Sequence, residues 1–188
     1  SHTQGATISV TKVNEAPSFS SSATFSAADN QTSIGSVAVN DPEGATLTYS
    51  LSGTDASLLA ISSSGVLAFV SAPDFETRPS DPMTIGANDG TNSTTQGATI
   101  SVTNVNEAPS FSSSATFSAA ENQTSIGSVS VNDPEGATLT YSLSGTDASL
   151  LAISSSGVLS FISAPDFETK SSYTATVAAS DGTNSTTQ

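Results

Sequence analysis

The sequence predicts an all-β chain built as two tandem β-sandwiches of about seven strands each. Three observations predict it. Residues 5–96 align with residues 97–188 without a gap, and only thirteen of the 92 aligned positions differ. A repeat of that length is domain-sized, unlike the roughly 20–50-residue units of solenoids. Within each copy, short segments alternate apolar and polar residues between Gly, Pro, Asn and Asp, the pattern of strands and turns. No segment sustains a helical period.

A unit of this size suits a Greek-key, immunoglobulin-like sandwich. In the first copy, Ser18 to Ala27 carries Phe19 and Phe25 and reads as a split first strand. Residues Ile34 to Val39 form the second. Thr46 to Leu51 alternates cleanly as the third, with Leu47, Tyr49 and Leu51 facing the core. Leu58 to Ile61 is a short fourth and Val66 to Val70 a fifth. A sixth is expected near Thr84 to Asn88, and Ala98 to Thr103 is the seventh.

Eight of the thirteen differences fall within residues 78–88. The second copy has Tyr173-Thr174-Ala175-Thr176-Val177-Ala178, a good strand, where the first has Asp81-Pro82-Met83-Thr84-Ile85-Gly86. Pro82 removes a ladder donor and Gly86 weakens a strand, so a shorter or bulged sixth strand is expected in the first copy.

The domain reading is an orphan last strand of a preceding repeat at 1–12, a first domain at 13–104, and a second at 105–188 that lacks its own last strand. Residues 5–11 repeat the seventh strand, and the second copy stops short of it. An open sheet edge recruits strands from other chains. The expectation is that residues 5–11 of one molecule complete the second domain of another, head to tail or as a swapped pair.

Seventeen acidic residues stand against three basic ones, Lys12, Arg78 and Lys170, for a net charge of −14. That balance argues against nucleic acid, which is bound by displacing counterions with Lys and Arg, and against anionic membrane surfaces. No apolar run approaches the ~20 residues of a membrane span. The chain has no Cys, and its only His is His2, so thiol chemistry and a Ser–His–Asp triad are unsupported. The paired carboxylates could be drawn as a glycosidase pair, but no substrate cleft is implied.

The carboxylates gather in short clusters at predicted turns. In the first copy these are Asp29, Asp41 with Glu43, Asp74 with Glu76, and Asp89. In the second they are Glu121, Asp133 with Glu135, Asp166 with Glu168, and Asp181. The segment between the copies supplies Asn104, Asn106 and Glu107. Singly, each has a structural reading: Asp41-Pro42-Glu43-Gly44 fits a type I turn, and Asp89-Gly90 and Asp181-Gly182 fit tight hairpins. Asp55 and Asp147, outside the clusters, read as ordinary turn or cap residues.

Strand order alternates the ends of a sandwich, so Asp29, Asp74 and Glu76 are expected at the end of the first domain that faces the linker. Asp133, Glu135 and Asp181 are expected at the facing end of the second. With Glu107 that makes seven carboxylates around one hinge, a repulsion of several kcal/mol even at a surface-like dielectric. Hard divalent cations relieve it. Calcium takes oxygen ligands of these kinds, and the chain offers no thiolate to favour zinc.

Five motifs, in the same order in both copies, resemble those of the cadherin family, specifically the cadherin-like tandem repeats of large bacterial surface adhesins. Ala120-Glu121-Asn122 resembles the xEx element, and Asp133-Pro134-Glu135, followed by Tyr141-Ser142-Leu143, stands in the place of DxD. Asp166-Phe167-Glu168 resembles DRE, and Ala179-Ser180-Asp181-Gly182 resembles A-x-D-G. Asn104-Val105-Asn106-Glu107-Ala108-Pro109 resembles the DxNDNxP linker.

The resemblance implies Ca2+ at the central junction, held by Asp29, Asp74, Glu76, Asn104, Asn106, Glu107, Asp133, Glu135 and Asp181. The linker is one residue shorter than the animal pattern and begins with Asn104 instead of Asp. Asp29 is shorter than the usual Glu, and Asp-Pro-Glu replaces Asp-x-Asp. These departures set the expectation at two or three ions. Outer half-sites would comprise Asn14, Glu15, Asp41, Glu43 and Asp89 at one end, and Glu121, Asp166 and Glu168 at the other. They should bind weakly unless another molecule completes them.

The function implied is a non-catalytic, calcium-binding extender of a cell-surface or secreted adhesin, its partners the neighbouring repeats of the same array. The alternative is a carbohydrate- or protein-binding adhesive module. With no Trp and only three Tyr, all at predicted strand positions, the sequence gives that alternative little support.

Overall fold

The structure, a computed structural model, describes residues 4–188. Residues 1–3, which begin the segment expected to be an orphan strand, lie outside the described residues. The chain divides into two units, the first ending at Val105 and the second comprising Asn106–Gln188.

In the first unit the strands are β1 (Ser18–Phe19), β2 (Thr24–Ala28), β3 (Ser33–Ser36), β4 (Val39–Asn40), β5 (Thr48–Ser52), β6 (Leu59–Ile61), β7 (Val66–Phe69), β8 (Ser80–Asn88) and β9 (Ser93–Thr103). One sheet has the order β2-β9-β8-β5, the other β3-β7-β6, and β1 pairs with β4. The expected first strand is thus split: β1 lies beside β4, whereas β2 runs parallel to β9. The expected second strand is split too. Its break at Val37 is tied by a bond from the Val37 amide to the Gly65 carbonyl at 2.8 Å.

β5 shows why the alternating pattern works. Its residues alternate exposed and half-buried, and Leu51 packs on the core. That core is built by Leu67, Phe69, Ile85 and Ile100, none more than 3% exposed. Each such side chain contributes roughly 1.5–3 kcal/mol by burial.

Contrary to the sequence expectation, the sixth strand of the first unit is neither short nor bulged. β8 spans nine residues and pairs in continuous register with β9, from Ser80 opposite Ser101 to Asn88 opposite Ser93. The reason lies in the direction of the proline's missing donor. The Val102 amide bonds the Pro79 carbonyl, and antiparallel ladders alternate, so position 82 turns its amide side away from β9. β5 reaches only to Ser52 opposite Thr84, so Pro82 lies past its end and breaks no bond.

The second unit contains β10 (Ser110–Phe111), β11 (Ser125–Ser128), β12 (Val131–Asn132), β13 (Thr140–Ser144), β14 (Leu151–Ile153), β15 (Val158–Phe161), β16 (Thr176–Ser180) and β17 (Ser185–Thr187). Its sheets are β13-β16-β17 and β11-β15-β14, with β10 beside β12. No strand forms at 116–120, the counterpart of β2, and β16 starts only at Thr176. The expectation of a good strand from Tyr173 fails here. In the first unit both stretches pair with Ser93–Thr103, whereas in the second unit the described ladder of β16 and β17 runs over Thr176–Ser180 and Ser185–Thr187. The second core is correspondingly sparse: Val129, Leu159 and Val177 are buried, with Phe111, Ile126 and Leu143 only partly so.

Short 3-10 turns at Ala56–Leu58 and Ala148–Leu150 are the only helical segments among the described residues, and none is long and apolar enough to cross a membrane.

Candidate metal centre

Each unit carries acidic residues at two places, and the local turns that position them are the same in both copies. The first is built on the Asp-Pro-Glu-Gly turn. The Gly44 amide bonds the Asp41 carbonyl at 3.1 Å, and Asp41 Oδ1 accepts the amides of Glu43 at 3.0 Å and Ala45 at 2.9 Å. In the second unit the Gly136 amide bonds the Asp133 carbonyl at 3.1 Å, and Asp133 Oδ1 accepts the Ala137 amide at 2.9 Å. The structural reading of these aspartates is therefore right for one oxygen. The other, Oδ2 of Asp41 and of Asp133, is buried without a hydrogen-bond partner, as is Oε1 of Glu135.

The Asp-Gly hairpin and the Asn-Glu segment converge on this turn. Asp181 Oδ1 accepts the amides of Thr183 and Asn184, both at 2.6 Å, capping its own hairpin. Its Oδ2 accepts Nδ2 of Asn106 at 2.8 Å, and the Glu107 amide approaches Glu135 Oε2 at 3.4 Å. The first unit repeats this, with Asn14 donating to Asp89 at 2.8 Å and the Glu15 amide to Glu43 at 3.0 Å. Backbone donors hold Asp89 and Asp181 below the usual carboxylate range, led by the Asn92 amide for Asp89 and the Thr183 amide for Asp181. Sequence reasoning missed Asn92 and Asn184. Their Nδ2 groups donate to the carbonyls of Asn14 at 3.2 Å and Asn106 at 2.9 Å. The repeated Asp-Gly-Thr-Asn string was the available signal.

The second place follows β2 and its counterpart. Asn30 and Asn122 adopt positive φ, 55° and 60°, at a turn that Asn tolerates. Their amides bond the Pro73 and Pro165 carbonyls at 3.0 and 2.9 Å, which sets the preceding acid beside the Asp-Phe-Glu loop. In the second unit one oxygen each of Glu121, Asp166 and Glu168 lies within 4.8 Å of the others, and all three residues are exposed. Thr169 leads the groups that hold Asp166 below the usual range, donating its hydroxyl at 2.7 Å. In the first unit, oxygens of Asp29 and Glu76 lie within 4.8 Å of each other, and Asn104 donates to Glu76 at 3.0 Å. Asp74 turns Oδ1 to the Glu76 amide at 3.1 Å. Asp29 is 1% exposed, and neither of its carboxylate oxygens has a partner.

A buried carboxylate without donors is costly. The unpartnered oxygens of Asp29, Asp41, Asp133 and Glu135 are hard, anionic and supplied by positions the two copies share. They fit calcium, which takes carboxylate, amide and carbonyl oxygens.

Asp147, read from sequence as a cap residue, makes no side-chain cap bond to its 3-10 turn. It pairs with Lys170 and accepts the Thr174 amide at 2.8 Å. In the first unit Arg78 pairs instead with Asp81, Nε to Oδ1 2.6 Å.

No protein-family model matches the chain, and no curated protein matches it in sequence. Solved structures do. Human protocadherin-24 EC1-2 is 22% identical over 94% of this chain and 93% of that one, with a TM-score of 0.61. A second form of the same fragment gives 20% identity, 93% of each chain and a TM-score of 0.64. The fold is that of tandem cadherin domains. Drosophila N-cadherin EC1-4 agrees, at 22% identity over 93% of this chain and 48% of that one, with a TM-score of 0.61.

Proposed function

We propose that the chain is a non-catalytic, calcium-binding extender: a pair of cadherin-like repeats from a cell-surface or secreted adhesin, with neighbouring repeats as its partners. The observation that carries this reading is the set of buried carboxylate oxygens left without donors on Asp29, Asp133 and Glu135. Asp29, Asp74, Glu76 and Asn104 from the first unit, with Asn106, Glu107, Asp133, Glu135 and Asp181 from the second, would hold two or three Ca2+ ions. The ions neutralise carboxylates that otherwise repel and restrict the linker between the units. The likeness to cadherin structures supports the fold on which this rests, and an extracellular setting follows from the proposal.

Calorimetric titration with calcium tests it on the wild type and on Asp133→Ala. The wild type is expected to bind two or three equivalents, and the variant at least one fewer. Small-angle scattering with and without chelator tests the stiffening. No heat of binding, or a maximum dimension indifferent to calcium, would refute the respective claim.

A further inference from the structure

Charge is kept out of the strands of this chain. Among the described residues the only charged side chain within a strand is Asp81, and it is fully buried. The other acids lie outside the strands. With a net charge of −14, two copies repel one another wherever those segments meet. Along the strands they can approach without setting carboxylate against carboxylate.

The sheet edges are unequal. Among the antiparallel edges present in both units, β1, β4, β10 and β12 have two residues, and β6 and β14 have three. β3 and β11 have four, with a register shift between Ser33 and Gly35 and between Ser125 and Gly127. Such short or irregular edges resist an added strand. β5 and β13 lack these protections. Each has one neighbour, β8 or β16, paired over five residues without a shift. Beyond that ladder the backbone of 48–52 and of 140–144 makes no hydrogen bond among the described residues. Both edges read Thr-Tyr-Ser-Leu-Ser, with neither Pro nor charge. Thr48, Ser50 and Ser52 are exposed on one face, and Tyr49 and Leu51 are only half-buried on the other. β13 repeats the pattern.

We propose that β5 and β13 are self-association edges, each pairing antiparallel with the same strand of a second copy of this chain across a two-fold axis at Ser50 or Ser142. The strand's own pattern selects the occupant. Centred on Ser50, all five residues find partners: Ser50 meets its own counterpart, Thr48 meets Ser52, and Tyr49 meets Leu51. Hydroxyl residues then oppose one another on one face, a favourable cross-strand pair, and Tyr49 covers Leu51 on the other. The contact is isologous, so one strand supplies both halves. Because the sequences are identical, β5 of one copy also fits β13 of another. A five-residue edge is a small contact, so the pairing is weak. Asp41 and Glu43 precede β5 and Asp55 follows it, so salt strengthens the pairing by screening like charges near the strand ends.

Sedimentation of the 188-residue chain up to about 1 mM, at low and high salt, tests this, with chelator present so that no cation bridges the copies. The wild type is expected to gain mass with concentration, more so at high salt. Amide exchange at 48–52 and 140–144 should slow as it does. Ser50→Lys/Ser142→Lys and Ser50→Asp/Ser142→Asp each set like charges on the two-fold axis, and each should weaken association at least about tenfold. The lysine variant also lowers the net repulsion between copies, so its loss of association reads the edge alone. Both positions are exposed, and circular dichroism should find both variants folded. An equimolar mixture of the two variants sets opposite charges on the axis and should restore association. A wild type monomeric at every concentration and salt overturns the proposal and leaves the edge to a strand of another protein. Assembly that persists in either charged variant, or that leaves 48–52 and 140–144 unprotected, overturns it too. A mixture that stays monomeric while the wild type assembles overturns the register.

Discussion

Asn106 donates from Nδ2 to Oδ2 of Asp181 at 2.8 Å, while Asn184 donates back to the Asn106 carbonyl at 2.9 Å. The start of the second unit is therefore clamped to its last hairpin by side chains, and Asp181 offers acceptors to both. Asp181→Asn keeps an oxygen for its own hairpin amides but sets an amide donor against that of Asn106. The hairpin should persist, and amide exchange and proteolysis around Asn106 should accelerate. Asn106→Asp instead sets carboxylate against carboxylate. In that variant protection is expected to fall in chelator and return in calcium. Hydrogen exchange in both conditions separates the two cases, and protection of Asn106→Asp that is indifferent to calcium would refute the cation's part.

Asp29 has no donors for either buried oxygen, so its contribution should change sign with calcium. In chelator, Asp29→Asn removes an uncompensated charge and is expected to stabilise the fold by roughly 1–3 kcal/mol. In calcium the wild type gains the binding free energy, about 2.7 kcal/mol at a hundredfold excess over Kd, and the variant gains less. Scanning calorimetry in both buffers checks it. A variant less stable than the wild type in chelator would show that Asp29 has a protein partner.

Gly65 has φ +78°, and a Cβ there would lie 2.8 Å from the Val37 carbonyl oxygen and 3.4 Å from the Tyr49 ring. Gly44 has a similar φ, +70°, with nothing within 4 Å. Gly65→Ala is expected to cost about 2 kcal/mol or more, and Gly44→Ala about 1 kcal/mol, the backbone part alone. Denaturant unfolding of the two variants isolates the cost of the contact. Equal losses would mean that the Val37 carbonyl yields freely.

The sandwiches were legible because burial writes its own period into a strand: Tyr49 and Leu51 alternate with exposed serines in sequence and in the structure alike. The turns were legible because Asp-Pro-Glu-Gly and Asp-Gly carry conformational preferences that need no tertiary partner. The sixth strand was misread because a proline's effect depends on which side its missing amide faces, and whether that matters is set by the phase of the β8–β9 ladder, fixed at the Val102–Pro79 bond, and by the reach of β5. The pairing of the two cations was illegible for a like reason. Arg78 and Lys170 hold equivalent positions, yet Arg78 reaches Asp81 while Lys170, with Tyr173 in the place of Asp81, reaches Asp147. A long cation's partner is chosen by the fold, not by spacing. Within each unit the candidate site was legible as residue types. That Asp29 would be fully buried was not, because an acid at a turn reads as solvated.

Those two ion pairs respond oppositely to acid. Burial raises the pKa of Asp81 above 3.8, with Arg78 opposing. Lys170, first, and the Thr174 amide hold Asp147 below 3.8. A raised folded-state value means that Asp81 contributes stability below about pH 4, lost as pH climbs through its folded value. A depressed value means that Asp147 contributes stability above about pH 4, lost as pH falls through its folded value. The difference between wild type and Asp81→Asn should therefore move against the wild type as pH rises from 3 toward 6, and that for Asp147→Asn should move in its favour. Breaking the first pair from the other side, by Arg78→Met, leaves a buried carboxylate unpaired and is expected to cost about 3–5 kcal/mol at neutral pH. Most of that loss should return in the Arg78→Met/Asp81→Asn double variant. Thermal unfolding across pH checks all three, with chelator present so that cation release does not contribute. Parallel pH profiles for Asp81→Asn and Asp147→Asn would contradict the assignment.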